Sequence, residues 1–330
     1  MLKVGFVSAW HVHAKGYAQE LLESKKVTIT TVWDEEEERG KELAAQYDAT
    51  FIPDYDEFLA TGDFTAVICN APTTMHAELL CKAAVAGKNI FTEKLLTATA
   101  TEGEQLCKAI EDAGIIYATS LPLLSSSSVL YVKDLIEQGE LGQITGARMR
   151  RSHGGVSDNW LPEYWFDVEK SGGGAMMDLG AHSVYVLSYL LGNPKRVSSL
   201  MTNIFGTTSD ENAVVLVEYE NGVIGMCETA FVTYGVPDLL EVYGTKGSFF
   251  MHGDKLLIST KKTADANGTV EIEPQNLPEQ KISPLMQFVD ACLNGTPVPD
   301  YLNAQSALRM TKIIEAAYDS DKNGTTVKIS

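Results

Sequence analysis

Up to about residue 120, short apolar runs rich in Val and Ile alternate with segments whose apolar positions recur at helical spacing. The runs at 3–8, 27–33, 65–70, 88–92 and 115–119 predict strands, and the segments at 13–23, 35–46, 73–86 and 99–113 predict helices. Gly87 and Gly114 stand where helix C-caps are expected. Strands alternating with helices imply a parallel sheet covered on both faces, hence a doubly wound α/β domain with its ligand crevice at the carboxyl ends of the strands.

The pattern then changes. A helix is predicted over 125–138 and a strand over 142–151, followed by an irregular aromatic stretch at 152–174 that holds Trp160, Tyr164, Trp165 and Phe166. After a helix at 175–191, strand-like runs follow at 196–205, 213–219, 223–229, 239–243, 248–252 and 255–259. Asn221-Gly222 joins two of them as a hairpin turn would. Helices at 284–293 and 303–318 and a short strand near Val327 end the chain. This half therefore predicts an α+β domain, a mostly antiparallel open sheet flanked by helices.

The 330 residues, 45% hydrophobic and 21% charged, exceed what one core usually supports. The expected division is 1–122 for nucleotide binding and 123–330 for substrate binding and oligomerisation. A net charge of -18 argues against duplex nucleic acid and anionic membranes as partners. The five cysteines lack CxxC spacing and fit buried thiols in a reducing compartment. No signal-peptide pattern or bilayer-length apolar run is seen, so the expected location is the cytoplasm. There the Asn-Gly-Thr triplets at Asn267, Asn294 and Asn323 are turns.

A dinucleotide site usually shows itself as GxGxxG after the first strand. Here the matching stretch is Ser8-Ala9-Trp10-His11-Val12-His13, without glycine. Trp10 is expected to crowd a phosphate unless its ring points away, although helix N-terminal amides still favour an anion. Asp34 ends the second strand, where a carboxylate accepts from the adenosine ribose and repels a 2′-phosphate. That favours NAD over NADP; the competing reading is a cap on the following helix. His11 and His13 do not share a helix face, and no neighbouring carboxylate or cysteine completes a zinc set, so no metal is expected.

Ala71-Pro72-Thr73-Thr74-Met75-His76, the run ending Phe91-Thr92-Glu93-Lys94, and Ser171-Gly172-Gly173-Gly174 leading to Asp178-Leu179-Gly180-Ala181-His182 carry a more specific signal. In order and spacing they resemble the glucose–fructose oxidoreductase / inositol dehydrogenase (Gfo/Idh/MocA) family, over nearly the whole chain. The resemblance implies a Rossmann domain whose cofactor is contacted by Ser8, Ala9, Trp10, His11, Val12, Asp34, Asn70, Ala71, Pro72, His76, Glu93 and Lys94. It implies a substrate site of Lys94, His153, Trp165, Asp178 and His182, and a homodimer or homotetramer formed through the second sheet. Asp178 and His182 are four apart and share a helix face, so the carboxylate can orient the imidazole as a general base. Lys94 then steadies the developing alkoxide.

Leu95 stands in place of the family's proline, which makes a cis bond after Lys94 unexpected. Tyr185 replaces a further Asp, and Leu121-Pro122-Leu123-Leu124 lacks an Arg or Tyr often found there. The expected activity is hydride transfer between NAD and a secondary alcohol or ketone of a sugar, inositol-like polyol or derivative. The alternatives are an NAD-dependent glycosidase on the same scaffold and a non-enzymatic ligand-sensing regulator.

Overall fold

The computed structural model describes residues 1–261 and 268–329, so the triplet at Asn267 lies outside the described residues. They form two compact units, Met1–Leu121 with Ile282–Thr311 and Pro122–Lys281 with Lys312–Ser330. The stretch 282–311, expected in the second domain, groups with the first. Its helix Pro284–Asn294 places the Phe288 ring 5.8 Å from that of Phe91, a contact that local periodicity does not encode.

In the first unit β1 (Leu2–Val7), α1 (Ala14–Glu23), β2 (Val27–Trp33), α2 (Glu37–Gln46), β3 (Thr50–Phe51), α3 (Tyr55–Thr61), β4 (Ala66–Cys69), α4 (His76–Val85), β5 (Asn89–Thr92), α5 (Ala100–Ala113) and β6 (Tyr117–Thr119) follow one another. The sheet order is β3-β2-β1-β4-β5-β6, and every pairing is parallel. All four residues of β4 are buried, as a central strand covered on both faces requires. Helix ends follow from local chemistry. Thr99 and Glu102 form a capping box at the start of α5, and Gly114 closes it in the left-handed conformation. β3 and α3 escaped the periodicity analysis. Two residues carry no period, and α3 is a seven-residue helix announced only by its Asp54 cap.

α3 supplies the core with Phe58, which is fully buried. A Cβ at position 5 would stand 2.6 Å from the Phe58 ring, so Gly5 is what lets this ring reach the sheet.

The second unit contains α6 (Ser127–Glu137), β7 (Ile144–Ser152), α7 (Val168–Ser171), α8 (Ala181–Leu191), β8 (Pro194–Thr202), β9 (Asn212–Tyr219), β10 (Ile224–Ala230), β11 (Leu239–Gly244), β12 (Gly247–His252), β13 (Lys255–Thr260), β14 (Val270–Glu271) and β15 (Val327–Lys328). The nine strands run β14-β13-β12-β11-β7-β10-β9-β8-β15, antiparallel apart from β7 with β10. α8 packs on β7 and β10 and buries Met149, Val215 and Cys227 on that face. The alternating positions Leu200, Val214, Leu216 and Ile224 are exposed. Among the described residues no helix is long and apolar enough to cross a membrane.

Truncating Phe58 to Ala should cost the first unit about 3–5 kcal/mol, because the ring has no water to fall back on. Denaturant unfolding followed by far-UV circular dichroism would show this as a lower midpoint of the transition assigned to that unit.

Candidate functional site

The turn after β1 is built without glycine. Ser8 itself adopts φ 64, the left-handed conformation that the first glycine of a dinucleotide turn provides. Its N–H donates to Trp33 O, and its Oγ accepts from the Trp10 N–H. Trp10 and His11 are buried, whereas Val12 is exposed. The carbonyl of Asn70, at the end of β4, accepts from the His11 N–H and ties the turn to the neighbouring strand.

Asp34 holds the other side of this turn. Its Oδ2 accepts from the Ala9 N–H at 2.9 Å and from Arg39 Nε at 2.9 Å; its Oδ1 accepts from the Glu36 N–H at 2.8 Å and from an Arg39 terminal nitrogen at 2.7 Å. Each readily used acceptor position of the carboxylate is thereby occupied. Asp34 does not cap α2 as the competing reading expected, since the N-cap is Glu36 and carries no side-chain cap bond; Asp34 bonds the Glu36 N–H in the preceding turn and forms a bidentate pair with Arg39. A ribose hydroxyl bound at Asp34 has to displace one of these donors. Burial would lower the Arg39 pKa, yet Asp34 and Glu35 beside it raise it instead. Arg39 was legible as an acid–Arg pair one helical turn from Glu35.

Two observations fit a dinucleotide at this end of the sheet. The β1–β4 gap is the switch point of a doubly wound order, and Asn70 Oδ1 is buried there with no hydrogen-bond partner among the described residues.

His76, expected to contact the cofactor, is buried instead as a brace. Its Nδ1 lies 2.7 Å from Leu95 O and its Nε2 lies 3.0 Å from Ala71 O, linking the turns that carry Pro72 and Lys94. Burial pushes its imidazole below the ordinary range. The Lys94–Leu95 peptide is cis, contrary to the expectation drawn from the missing proline. The buried Leu95 side chain and the hold of His76 on the Leu95 carbonyl define this stretch from outside the peptide itself.

Glu93 corrects a further expectation, that no carboxylate neighbours the histidine pair. His13 Nδ1 lies 2.8 Å and His11 Nδ1 3.7 Å from Glu93 Oε1, and the Tyr17 hydroxyl donates to the same oxygen. The Lys94 N–H donates to Oε2 at 3.0 Å. Burial opposes charge on Glu93, but the pull of His11, the His13 bond and Lys94 outweigh it and hold the carboxyl well below the usual carboxylate range. Local reading missed this because Glu93 is 80 residues from His13.

The second unit presents the glycine-rich turn and α8. Asp210 clasps the turn, accepting from the Gly174 N–H at 2.9 Å, the Met176 N–H at 2.7 Å and the Tyr318 hydroxyl at 2.7 Å. A Cβ at position 174 would come within 2.0 Å of the Asp210 carbonyl oxygen, so only glycine fits. Met176–Gly180 then forms a π-helical turn ahead of α8, a feature that periodicity did not anticipate. It carries the partly buried Asp178, and α8 carries the buried His182.

His182 Nδ1 lies 2.8 Å from the Tyr185 hydroxyl, whose oxygen also accepts from the Leu123 N–H at 3.2 Å. Asp178 exerts its field on His153. That ring accepts from the Gly155 N–H at 3.0 Å through Nδ1, which leaves Nε2 as the protonated nitrogen when the ring is neutral. Burial pushes the His153 imidazole below its usual range, against the pull of Asp178. Trp165, expected in the substrate site, is 5% exposed; Trp160 is 56% exposed, its ring 4.6 Å from His153.

Residues 2–120 match the family described as "Oxidoreductase family, NAD-binding Rossmann fold" and residues 129–250 the "GFO/IDH/MocA C-terminal domain". The chain is 27% identical to scyllo-inositol 2-dehydrogenase (NAD(+)) of Bacillus subtilis over 83% of its own length and 80% of the relative's. It is 23% identical to the uncharacterized oxidoreductase YrbE of the same organism over 98% and 96% of the two chains. A structure of levoglucosan dehydrogenase in complex with NADH and levoglucosan shares the fold with a TM-score of 0.85 at 22% identity, covering 100% of this chain and 99% of that one. The chain belongs to the Gfo/Idh/MocA family of NAD-binding oxidoreductases.

Proposed function

We propose that the chain transfers a hydride between NAD and a secondary alcohol or ketone of a sugar, an inositol-like polyol or a derivative. The observation that carries this reading is the buried His182, whose Nδ1 lies 2.8 Å from the Tyr185 hydroxyl; in the tautomer that donates Nδ1–H to that oxygen, Nε2 is the unprotonated nitrogen and the atom for proton transfer. In the oxidative direction His182 Nε2 takes the hydroxyl proton and Asp178 favours the imidazolium that results. The Lys94 ammonium steadies the developing oxyanion. His153 Nε2–H offers a donor to a neighbouring substrate hydroxyl. When bound, NAD supplies the hydride acceptor. The turn of Ser8, Ala9, Trp10 and His11 with Asp34, Asn70 and Glu93 would hold it.

The substrate class is supported by the sugar and inositol chemistry named for the relatives and by the aromatic stretch around His153. Turnover of inositols, anhydro-sugars and aldoses, assayed by NADH absorbance in both directions, tests it. NADH binding without turnover of any polyol or sugar would reject the substrate class and keep the cofactor.

Removing the base in His182→Ala should lower kcat by about 100–10,000-fold, and Lys94→Ala should lower it by about 100–1,000-fold. Tyr185→Phe keeps both groups and loses only the anchor, so a drop of about tenfold in kcat with KM unchanged is expected. Steady-state kinetics separates the three.

For the cofactor, Asp34→Ser should weaken NADH by about tenfold and move preference towards NADPH, since Arg39 is then released to face a 2′-phosphate. Nicotinamide fluorescence titrations with both nucleotides read this out.

We also propose that copies of the chain pair through the exposed face of the second sheet. Its solvent-facing Leu200, Leu216 and Ile224 form an apolar surface of the kind that marks association. Ile224→Glu should shift the mass measured by light scattering from an oligomer to a single chain.

A further inference from the structure

Two imidazoles stand in the turn after β1 where a dinucleotide turn has glycines, and both face one buried carboxylate oxygen. We propose that His11, His13 and Glu93 form a binding site for a divalent transition metal of the zinc class. His13 Nδ1 is 2.8 Å and His11 Nδ1 3.7 Å from Glu93 Oε1, and one ligand atom of each residue lies within 4.8 Å of the others; His11 Nδ1 accepts from the His13 N–H at 3.2 Å, a bond that the ion displaces. A zinc ion bound at about 2.0–2.2 Å to nitrogen and oxygen sets its ligand atoms roughly 3.3 Å apart, so small ring movements bring this trio to coordination geometry. The His11 and His13 ring centroids are already 4.6 Å apart.

The donor set selects the metal. Two imidazoles and one carboxylate suit zinc, cobalt or nickel, whereas magnesium and calcium prefer oxygen alone. Three protein ligands leave a coordination position open. Glu93 is 1% exposed and oriented through its second oxygen by the Lys94 N–H. The Tyr17 hydroxyl, which reaches Glu93 Oε1, is 2.6 Å from Ser120 Oγ and so supports the carboxylate from behind. His13 has a side chain 48% exposed and gives the ion its way in from solvent. The ion takes the place of the His13 proton directed at Glu93 Oε1 while the Tyr17 hydroxyl keeps its bond to that oxygen, and the site needs no nucleotide.

The test uses the full chain, stripped with a chelator and free of nucleotide. Calorimetric titration with Zn2+ and visible absorption with Co2+ are followed in the wild type, His13→Ala and Glu93→Gln. The expected result is one ion per chain, bound about tenfold or more weaker in either variant, with the Co2+ ligand-field bands lost in both. The half-exposed His13 can be removed without unfolding the unit, which circular dichroism verifies. No stoichiometric binding, or equal binding by wild type and His13→Ala, would overturn the site. Because neither readout involves NADH or turnover, either outcome leaves the oxidoreductase reading to its own assays.

Discussion

A carboxylate taken out of water has to be given donors, and this requirement organises several irregular segments in each unit. Asp34 gathers Ala9, Glu36 and Arg39; Glu93 gathers His13, Tyr17 and Lys94. In the second unit Asp210 gathers Gly174, Met176 and Tyr318, and the fully buried Glu211 accepts from the N–H groups of Ile204, Phe205 and Thr207. Leaving such a charge unpaired costs several kcal/mol, more than a surface turn contributes to stability. The turns therefore adopt the shapes that bring their amides to the carboxylates.

This explains how the first unit dispenses with the glycine fingerprint. Glycines permit a tight turn with close approach of backbone to phosphate, but they do not hold it in place. Here Ser8 takes the left-handed conformation, and Asp34, from the adjacent strand, fixes the following amide. The turn is thus ordered before any ligand arrives, at the expense of an Asp34 carboxylate that is already committed to protein donors.

What the sequence made legible was whatever repeats locally. The alternation of buried runs with capped helices identified the parallel sheet, and Asn221-Gly222 with its flanking runs identified the β9–β10 hairpin. Elements too short to show a period, such as Thr50–Phe51, were not visible. Nor was the return of residues 282–311 to the first unit, since it depends on contacts such as Phe288 with Phe91 across most of the chain. The candidate residues themselves were legible by type and order. Their partners were not: Glu93 meets His13 across 80 residues, and Asp210 meets Gly174 across 36. The π turn at Met176–Gly180, with no local period of its own, was not visible either.

Two departures from the family pattern that look independent in sequence are one arrangement in space. Tyr185 stands where a carboxylate is usual, and Leu123 lies in a segment that lacks the usual Arg or Tyr; the Leu123 N–H donates to the Tyr185 hydroxyl, which in turn meets His182. A neutral phenol orients the imidazole without adding the negative charge that a carboxylate would bring. Tyr185 and the Leu123 backbone thus set the orientation of the His182 ring. A segment that fixes the tyrosine through its backbone has no need of a particular side chain at position 123.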